Sequence, residues 1–284
     1  MSLYCPGVSE VVVVAHPDDE TLWLEPWLAA DRQVVVAFPD HPRDPAVTAA
    51  REQVRERFPV GEMEFLPLHS LDVLGRSDRR RRVPTAFGVS LTAGPDLVAA
   101  YEANHARLCH LLEPVLAEHE VVYTHNPWGE YGHEEHVQVC RAVLDVGARH
   151  GTTVWAWDGF STRELARTST RLRSDFYQRG RGPADWVRVE QPSDLGRFRQ
   201  LKGLYEEHGC WTWDDGYEPP AAPQYLQLMA AGRELISAGP GISDRQRELE
   251  IALNHATHLP SVLKRLLTQG RLRQGAQRRA TTSR

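Results

Sequence analysis

The sequence predicts an α/β fold with a mostly parallel sheet, helices on both faces and a C-terminal cap. Three observations carry this prediction. Short apolar runs suited to buried strands alternate with helical patterns over residues 1–160. Past residue 160 the alternation gives way, which sets a C-terminal part off from the core. Imidazole and carboxylate side chains gather just after the strands, where open parallel sheets bind their ligands.

The first strand is EVVVVA, 10–15, an unbroken apolar run of the kind buried on both faces. VVVAF (34–38), EMEFL (62–66), EVVYT (120–124) and TVWAW (153–157) read as further strands. Helical patterns cover 20–31, 45–58, 95–119 and 133–149. After residue 160 the alternation fades. WVRVEQ (186–191) reads as a strand, and 193–207 and 243–267 read as helices capped by Ser193 and Ser243. WTWDDGYEPPAAP (211–223) reads as a loop from its Pro and Gly content. The expected organisation is one domain over 1–284, with a core at 1–160, a substrate-shaping part at 161–265 and a basic tail at 266–284.

With 284 residues, 41% of them hydrophobic, the chain can bury a sizeable core. A net charge of 33 − 38 = −5 argues against a dedicated nucleic-acid binder. No apolar run approaches the ~18–20 residues that span a bilayer, which argues against integral membrane association. MSLYCPGVSE at the N-terminus has no basic or apolar region of a signal peptide. Cys5, Cys109, Cys140 and Cys210 form no CxxC pair and read as reduced thiols of a cytoplasmic protein.

Two stretches carry the chemistry. In AHPDDE (15–20), Pro17 suits a first helical turn, and Asp18, Asp19 and Glu20 fall where the helix dipole favours negative charge. That accounts for the acids with no metal. The spacing offers a second account: His16 and Asp19 can reach one point from the strand–helix corner, as borderline ligands suited to Zn²⁺. Asp18 can reach a water there without being a ligand. In HNPWGEYGHEEH (125–136), glycines permit a tight loop after a strand, and His133 and His136 share one face of the following helix. Among 13 histidines such a pair also arises by chance. If the two strands are neighbours, the loops face each other. His16, Asp19 and His136 then form the three-ligand set of a catalytic rather than structural zinc site. The same donors accept Fe²⁺.

AHPDDE after a valine-rich strand, paired with YGHEEH, resembles the PIG-L/LmbE-like family of zinc-dependent de-N-acetylases, which includes N-acetylglucosaminyl-phosphatidylinositol deacetylase. The resemblance covers roughly residues 8–160. It implies a Rossmann-like three-layer sandwich. It also implies removal of an acetyl or other acyl group from an amide nitrogen, usually on an amino sugar. Matched motif to motif, His16, Asp19 and His136 bind zinc and Asp18 is the general base. His133 is the electrostatic or general-acid histidine, Glu135 holds it or its neighbour, and Tyr131 helps stabilise the oxyanion. The chain departs from the family pattern in TLWLEPWLAA, in FPDHPRDP and in Glu135 where Asp is common. These departures bear on the substrate pocket and touch none of the implied ligands.

Other features are weaker. His125 and Asn126 either line the site or stabilise its loop. Trp128 suits a lid or platform. Trp213 and Asp215 lie in an aromatic, acidic loop that suits a sugar, or that its tryptophans anchor to the core. Arg51 reaches substrate or forms a surface ion pair. The arginine run 79–82 reads as a solvated loop or a contact to an anionic group. Three functions follow: a metal-dependent de-N-acetylase of a small-molecule amino sugar or conjugate, a zinc amidase of a non-sugar N-acyl substrate, or a non-catalytic sugar-binding relative. Oligomeric state is left open by the sequence.

Overall fold

A computed structural model describes residues 8–77, 84–85, 88–89, 91–127, 129–159 and 187–234. The helix expected at 243–267, the arginine run 79–82, Trp128, Cys5 and the basic tail lie outside them.

Four short strands run parallel around β1 (Glu10–Val14): β2 (Gln33–Val36), β3 (Met63–Phe65), β6 (Val121–Thr124) and β7 (Thr153–Trp157). The order is β3-β2-β1-β6-β7. The chain therefore builds outward from β1 on one side, then returns to build outward on the other. This reversal is the topological switch of a doubly wound, Rossmann-like sheet, and it opens a crevice at the carboxyl ends of β1 and β6. Both strands pair directly, with Val13 opposite Thr124.

The valines of β1 explain the layering. Successive strand side chains point to opposite faces. Val11 and Val13 pack with Leu108, Leu112, Val139 and Val143 of α4 (Pro95–Ala117) and α6 (Glu134–His150). Val12 and Val14 pack on the other face with Trp23, Trp27, Tyr123 and Leu201. All four valines are fully buried, so a run without alternation is what a three-layer sandwich demands of its central strand.

The expected elements of the first half hold to within a few residues, α2 (Pro45–Arg57) included. One differs: the helical pattern at 20–31 shortens to α1 (Asp19–Trp23) and a 3₁₀ turn, Glu25–Trp27, because Pro26 cannot extend the first helix. Two small elements, α3 (Val73–Arg76) and the hairpin β4 (Pro84–Thr85) and β5 (Gly88–Val89), lie between β3 and α4. A kinked turn, α5 (Gly129–Gly132), precedes α6.

Beyond the core, β8 (Arg188–Glu190) falls within the expected strand, and α7 (Leu195–Glu207) within the expected helix. Its cap is Asp194, not Ser193. The Asp194 carboxylate accepts from the N–H groups of Gly196 (2.9 Å) and Arg197 (3.1 Å), while the Ser193 hydroxyl donates away to the Pro220 carbonyl (2.8 Å). A strand that the sequence reading missed, β9 (Gln224–Ala230), pairs antiparallel with β7, β8 and β10 (Arg233–Glu234). The C-terminal part thus extends the sheet and does not only cap it. The segment 211–223 is a loop, as expected. Cys109, Cys140 and Cys210 are free thiols. No helix among the described residues is long and apolar enough to cross a membrane.

Candidate active site

The loops after β1 and β6 meet across the crevice. His16 Nδ1, Asp19 Oδ2 and His136 Nε2 stand 3.3 Å from one another on all three edges. Three corners of a ligand tetrahedron around an ion at about 2.0 Å are separated by about 3.3 Å. The donor chemistry agrees with the spacing. The other ring nitrogen of each histidine is held by a buried carboxylate: His16 Nε2 by Glu135 (2.9 Å) and His136 Nδ1 by Glu130 (2.6 Å). Each carboxylate accepts a hydrogen bond from the N–H of its histidine, so in the neutral rings His16 Nδ1 and His136 Nε2 present lone pairs to the same point as Asp19. Three convergent acceptors repel unless a proton or a cation sits among them. Without a cation, burial pushes His16 down but the hydrogen bonds and charges of Asp19 and Glu135 outweigh it and raise its pKa to about 9. Burial likewise opposes, and the facing histidines overcome, a shift that holds Asp19 well below the usual carboxylate range. Burial lowers the pKa of His136, consistent with a neutral ring. The set fits a divalent cation with two nitrogen ligands and one oxygen ligand, zinc or iron(II) among them.

Glu135 is itself fixed by Ser70 Oγ (3.0 Å) and the Leu71 N–H (2.7 Å) from the loop after β3. Glu130 is the residue that sequence reasoning missed. Its Oε2 also takes His125 Nδ1 (3.0 Å), and its Oε1 takes the Asn126 N–H (2.9 Å). Its backbone sits at φ 54°, a left-handed conformation uncommon outside glycine. His125 Nε2 accepts the Ala15 N–H at 2.8 Å, which occupies its lone pair. His125 and Asn126 are therefore loop-stabilising: they tie the two motifs together behind the donor triangle.

Asp18 lies beside the triangle, also in the left-handed region at φ 95°. The Glu20 carboxylate accepts its N–H (3.1 Å), and Thr21 and Leu22 donate to its carbonyl. Thr212, from the loop after α7, donates its N–H (3.0 Å) and its hydroxyl (2.6 Å) to Asp18 Oδ2. Neither bond uses Oδ1. Burial, then the charge of Asp19, raises the Asp18 pKa to about 6 against the pull of Arg51 and Thr212. Glu20, raised to about 7 by burial, receives Thr21 Oγ1 and Tyr205 Oη (2.7 and 2.9 Å) and supports the turn from behind. Thr212 carried no signal in the sequence, because its contact spans 194 positions.

A cavity of about 410 Å³ opens onto this centre. His16, Asp18, Asp19, Tyr131, His133 and Glu135 all line it. His136 contributes from behind, fully buried. His133 Nδ1 accepts the Glu135 N–H at 3.2 Å as the cap of α6, so its neutral ring carries the proton on Nε2. Tyr131 packs edge-on to His133 and His136, with ring centroids 5.6 and 5.3 Å away, and against Trp213 at 4.9 Å. Arg51 and Trp213 also line the cavity. Arg51 is buried, with Nη1 donating to the carbonyls of Pro39 (3.2 Å) and Asp40 (2.9 Å), rather than forming a surface ion pair. Trp213 packs edge-on to Trp23 at 5.3 Å, so it is both anchored and exposed to the cavity. Asp215 is not brought to the site: it is exposed, with its carbonyl taken by Lys202.

No family model matches the sequence, and no curated protein matches it. Among solved structures, the chain is similar to the teicoplanin deacetylase Orf2 in a zinc-inhibited form, at 10% identity over 77% of this chain and 97% of that one, with a TM-score of 0.48. It is also similar to a deacetylase–teicoplanin complex, at 12% identity over 77% and 98%, TM-score 0.46. The A40926 pseudoaglycone deacetylase Dbv21 aligns at 10% identity over 79% and 98%, TM-score 0.49. At these values the likeness lends the site no chemistry, and the site stands on its own geometry.

Proposed function

We propose that this protein is a metal-dependent hydrolase that removes an acetyl or other acyl group from the amide nitrogen of an amino sugar or its conjugate. The observation that carries this reading is the donor triangle of His16, Asp19 and His136, with a buried carboxylate beside it and a cavity in front. In this reading those three residues hold a Zn²⁺ or Fe²⁺ ion. The bound ion supplies Lewis-acid polarisation of the amide carbonyl and a more acidic water.

The chain's own groups do the rest. Asp18, anchored through Oδ2 by Thr212, takes the proton of the attacking water as general base. His133 presents Nε2–H to the carbonyl oxygen as charge develops there, and Tyr131 helps stabilise the same oxygen. The departing nitrogen takes back the proton that Asp18 collected, or one from His133. Glu135 and Glu130 fix the tautomers of His16 and His136. Trp213 and Tyr131 offer aromatic faces for a sugar ring, with Arg51, Asp40 and Asp72 as polar partners for its hydroxyls.

The test is release of free amine from N-acetylglucosamine conjugates, with and without a chelator. Amine should appear only with metal. Asp18→Asn should bind zinc normally but lose about 10²–10⁴-fold in turnover, and His136→Ala should lose zinc. Binding of the conjugate with no amine released by the metal-loaded protein would refute the reading. Release from acylated amino acids or lipids but not from sugars would move the substrate class.

A further inference from the structure

A second cluster of ligand-type side chains lies between α4 and α6, away from the cavity. His105 and Cys109 are four apart on α4 and so share one face. That face meets Asp145 on α6. His105 Nε2 lies 2.9 Å from Asp145 Oδ2 and 3.6 Å from Cys109 Sγ, and all three donor atoms fall within 4.8 Å of one another. None of the three lines the cavity. Asp145 is nine positions beyond His136 on α6, about 13 Å along the helix axis.

We propose that His105, Cys109 and Asp145 form a second, thiolate-bearing site for a divalent cation of zinc type, tying α4 to α6. Ligand atoms about 2.0 Å (nitrogen) and 2.3 Å (sulfur) from one ion stand about 3.5 Å apart across a tetrahedral angle. His105 Nε2 and Cys109 Sγ are 3.6 Å apart, close to that separation. The carboxylate is slightly close, but Asp145 is only half-buried and free to adjust. Thiolate, imidazole and carboxylate together select zinc-like ions over magnesium or calcium. A thiolate and a carboxylate balance the charge of a dication. Arg141, whose Nε is 3.9 Å from Asp145 Oδ2, opposes it, though Arg141 Nη1 is engaged by Glu102 at 3.1 Å. The ion takes Cys109 as its thiolate and His105 as its neutral imidazole, so binding is coupled to proton release.

His105 Nδ1 is buried with no hydrogen-bond partner among the described residues. The site therefore lacks the orienting carboxylate that serves His16 and His136. It should bind about 10–100-fold more weakly than the donor triangle and fill after it.

Cobalt(II) titration of the full chain distinguishes the two sites, because only this one offers sulfur. Wild type should bind two equivalents, and the second should bring a near-ultraviolet thiolate-to-cobalt charge-transfer band. Cys109→Ser, nearly isosteric at a half-buried position, should keep its circular dichroism, bind one equivalent and lose the band. Asp145→Asn should weaken the second equivalent at least tenfold. No band in wild type, a full band in Cys109→Ser, or unchanged affinity in Asp145→Asn would each overturn the proposal. Failure of the donor triangle to bind would leave one equivalent with the band present, a separate and recognisable result.

Discussion

Glu130→Gln tests how the metal centre is held. Glu130 is fully buried and takes two imidazole N–H groups on Oε2 and one backbone N–H on Oε1. Glutamine keeps the shape but has only one accepting atom. If its oxygen faces the histidines, its amide N–H₂ opposes the Asn126 N–H, and a buried donor pair is left unsatisfied at about 1–3 kcal/mol. If its nitrogen faces the histidines, His136 must accept on Nδ1 and place its proton on Nε2, inside the donor triangle. The first arrangement lowers the melting temperature by about 2–4 °C per kcal/mol for a chain of this size. The second lowers metal affinity by about 10–100-fold, the usual effect of losing an orienting carboxylate. Thermal melts of metal-free protein read the first, and zinc titration against a competing chromophoric chelator reads the second. A variant with both unchanged would show that Glu130 does not fix the His136 tautomer.

Three further outcomes are expected. Thr212→Val removes the hydroxyl bond to Asp18 Oδ2 but keeps the backbone one, so the Asp18 pKa rises. The acidic limb of the kcat/KM profile should move up by about one pH unit, as the loss of one bond to a charged group implies, and an unmoved limb would exclude the contact. Burial lowers the pKa of His105, but the bonds to Asp145 and Cys109 raise it to about 9 against the charge of Arg141. Its stabilising contribution is then complete below the unfolded value near 6.5 and lost as pH rises through 9. Chelated protein should lose on the order of 1–2 kcal/mol over that window, allowing for the exposure of Asp145. A flat denaturation midpoint from pH 6 to pH 10, apart from effects also present in a His105→Gln control, would contradict this. Asp194→Ala should destabilise by about 1 kcal/mol and Ser193→Ala by much less, as measured by urea denaturation; the reverse order would return the α7 cap to Ser193.

The sequence exposed those parts of the site that lie next to one another in it. A valine run followed by His16, Asp18 and Asp19 reads locally, and so does the His133–His136 pair, because strand end and helix start are local events. Their meeting could be stated only as a condition, since strand adjacency is a property of the whole sheet. The residues behind the site were less legible. Glu130 sits in a turn whose φ no pattern announces, and Thr212 reaches Asp18 from a loop 194 positions away. The strand β9 escaped notice because Gln224 and Gln227 interrupt its apolar pattern. Gln224 is exposed at the start of the strand, with its amide donating to Glu190 Oε1 (3.1 Å), and Gln227 is only partly buried, so both polar side chains are tolerated.

The backbone marks the site independently of its side chains. Among the described residues, four that are not glycine adopt positive φ: Asp18, Asp72, Glu130 and Ala231. Asp18 and Asp72 line the cavity, and Glu130 braces it. Such positions typically cost on the order of 1 kcal/mol, less for aspartate than for glutamate. Glycine would relax the chain at each of them while removing the group it carries. A population of variants selected for heat resistance alone would therefore drift toward glycine at 18, where burial already disfavours the charged carboxylate, but not at 130, where Glu130 satisfies three buried donors, and it would become sturdier as it lost its chemistry.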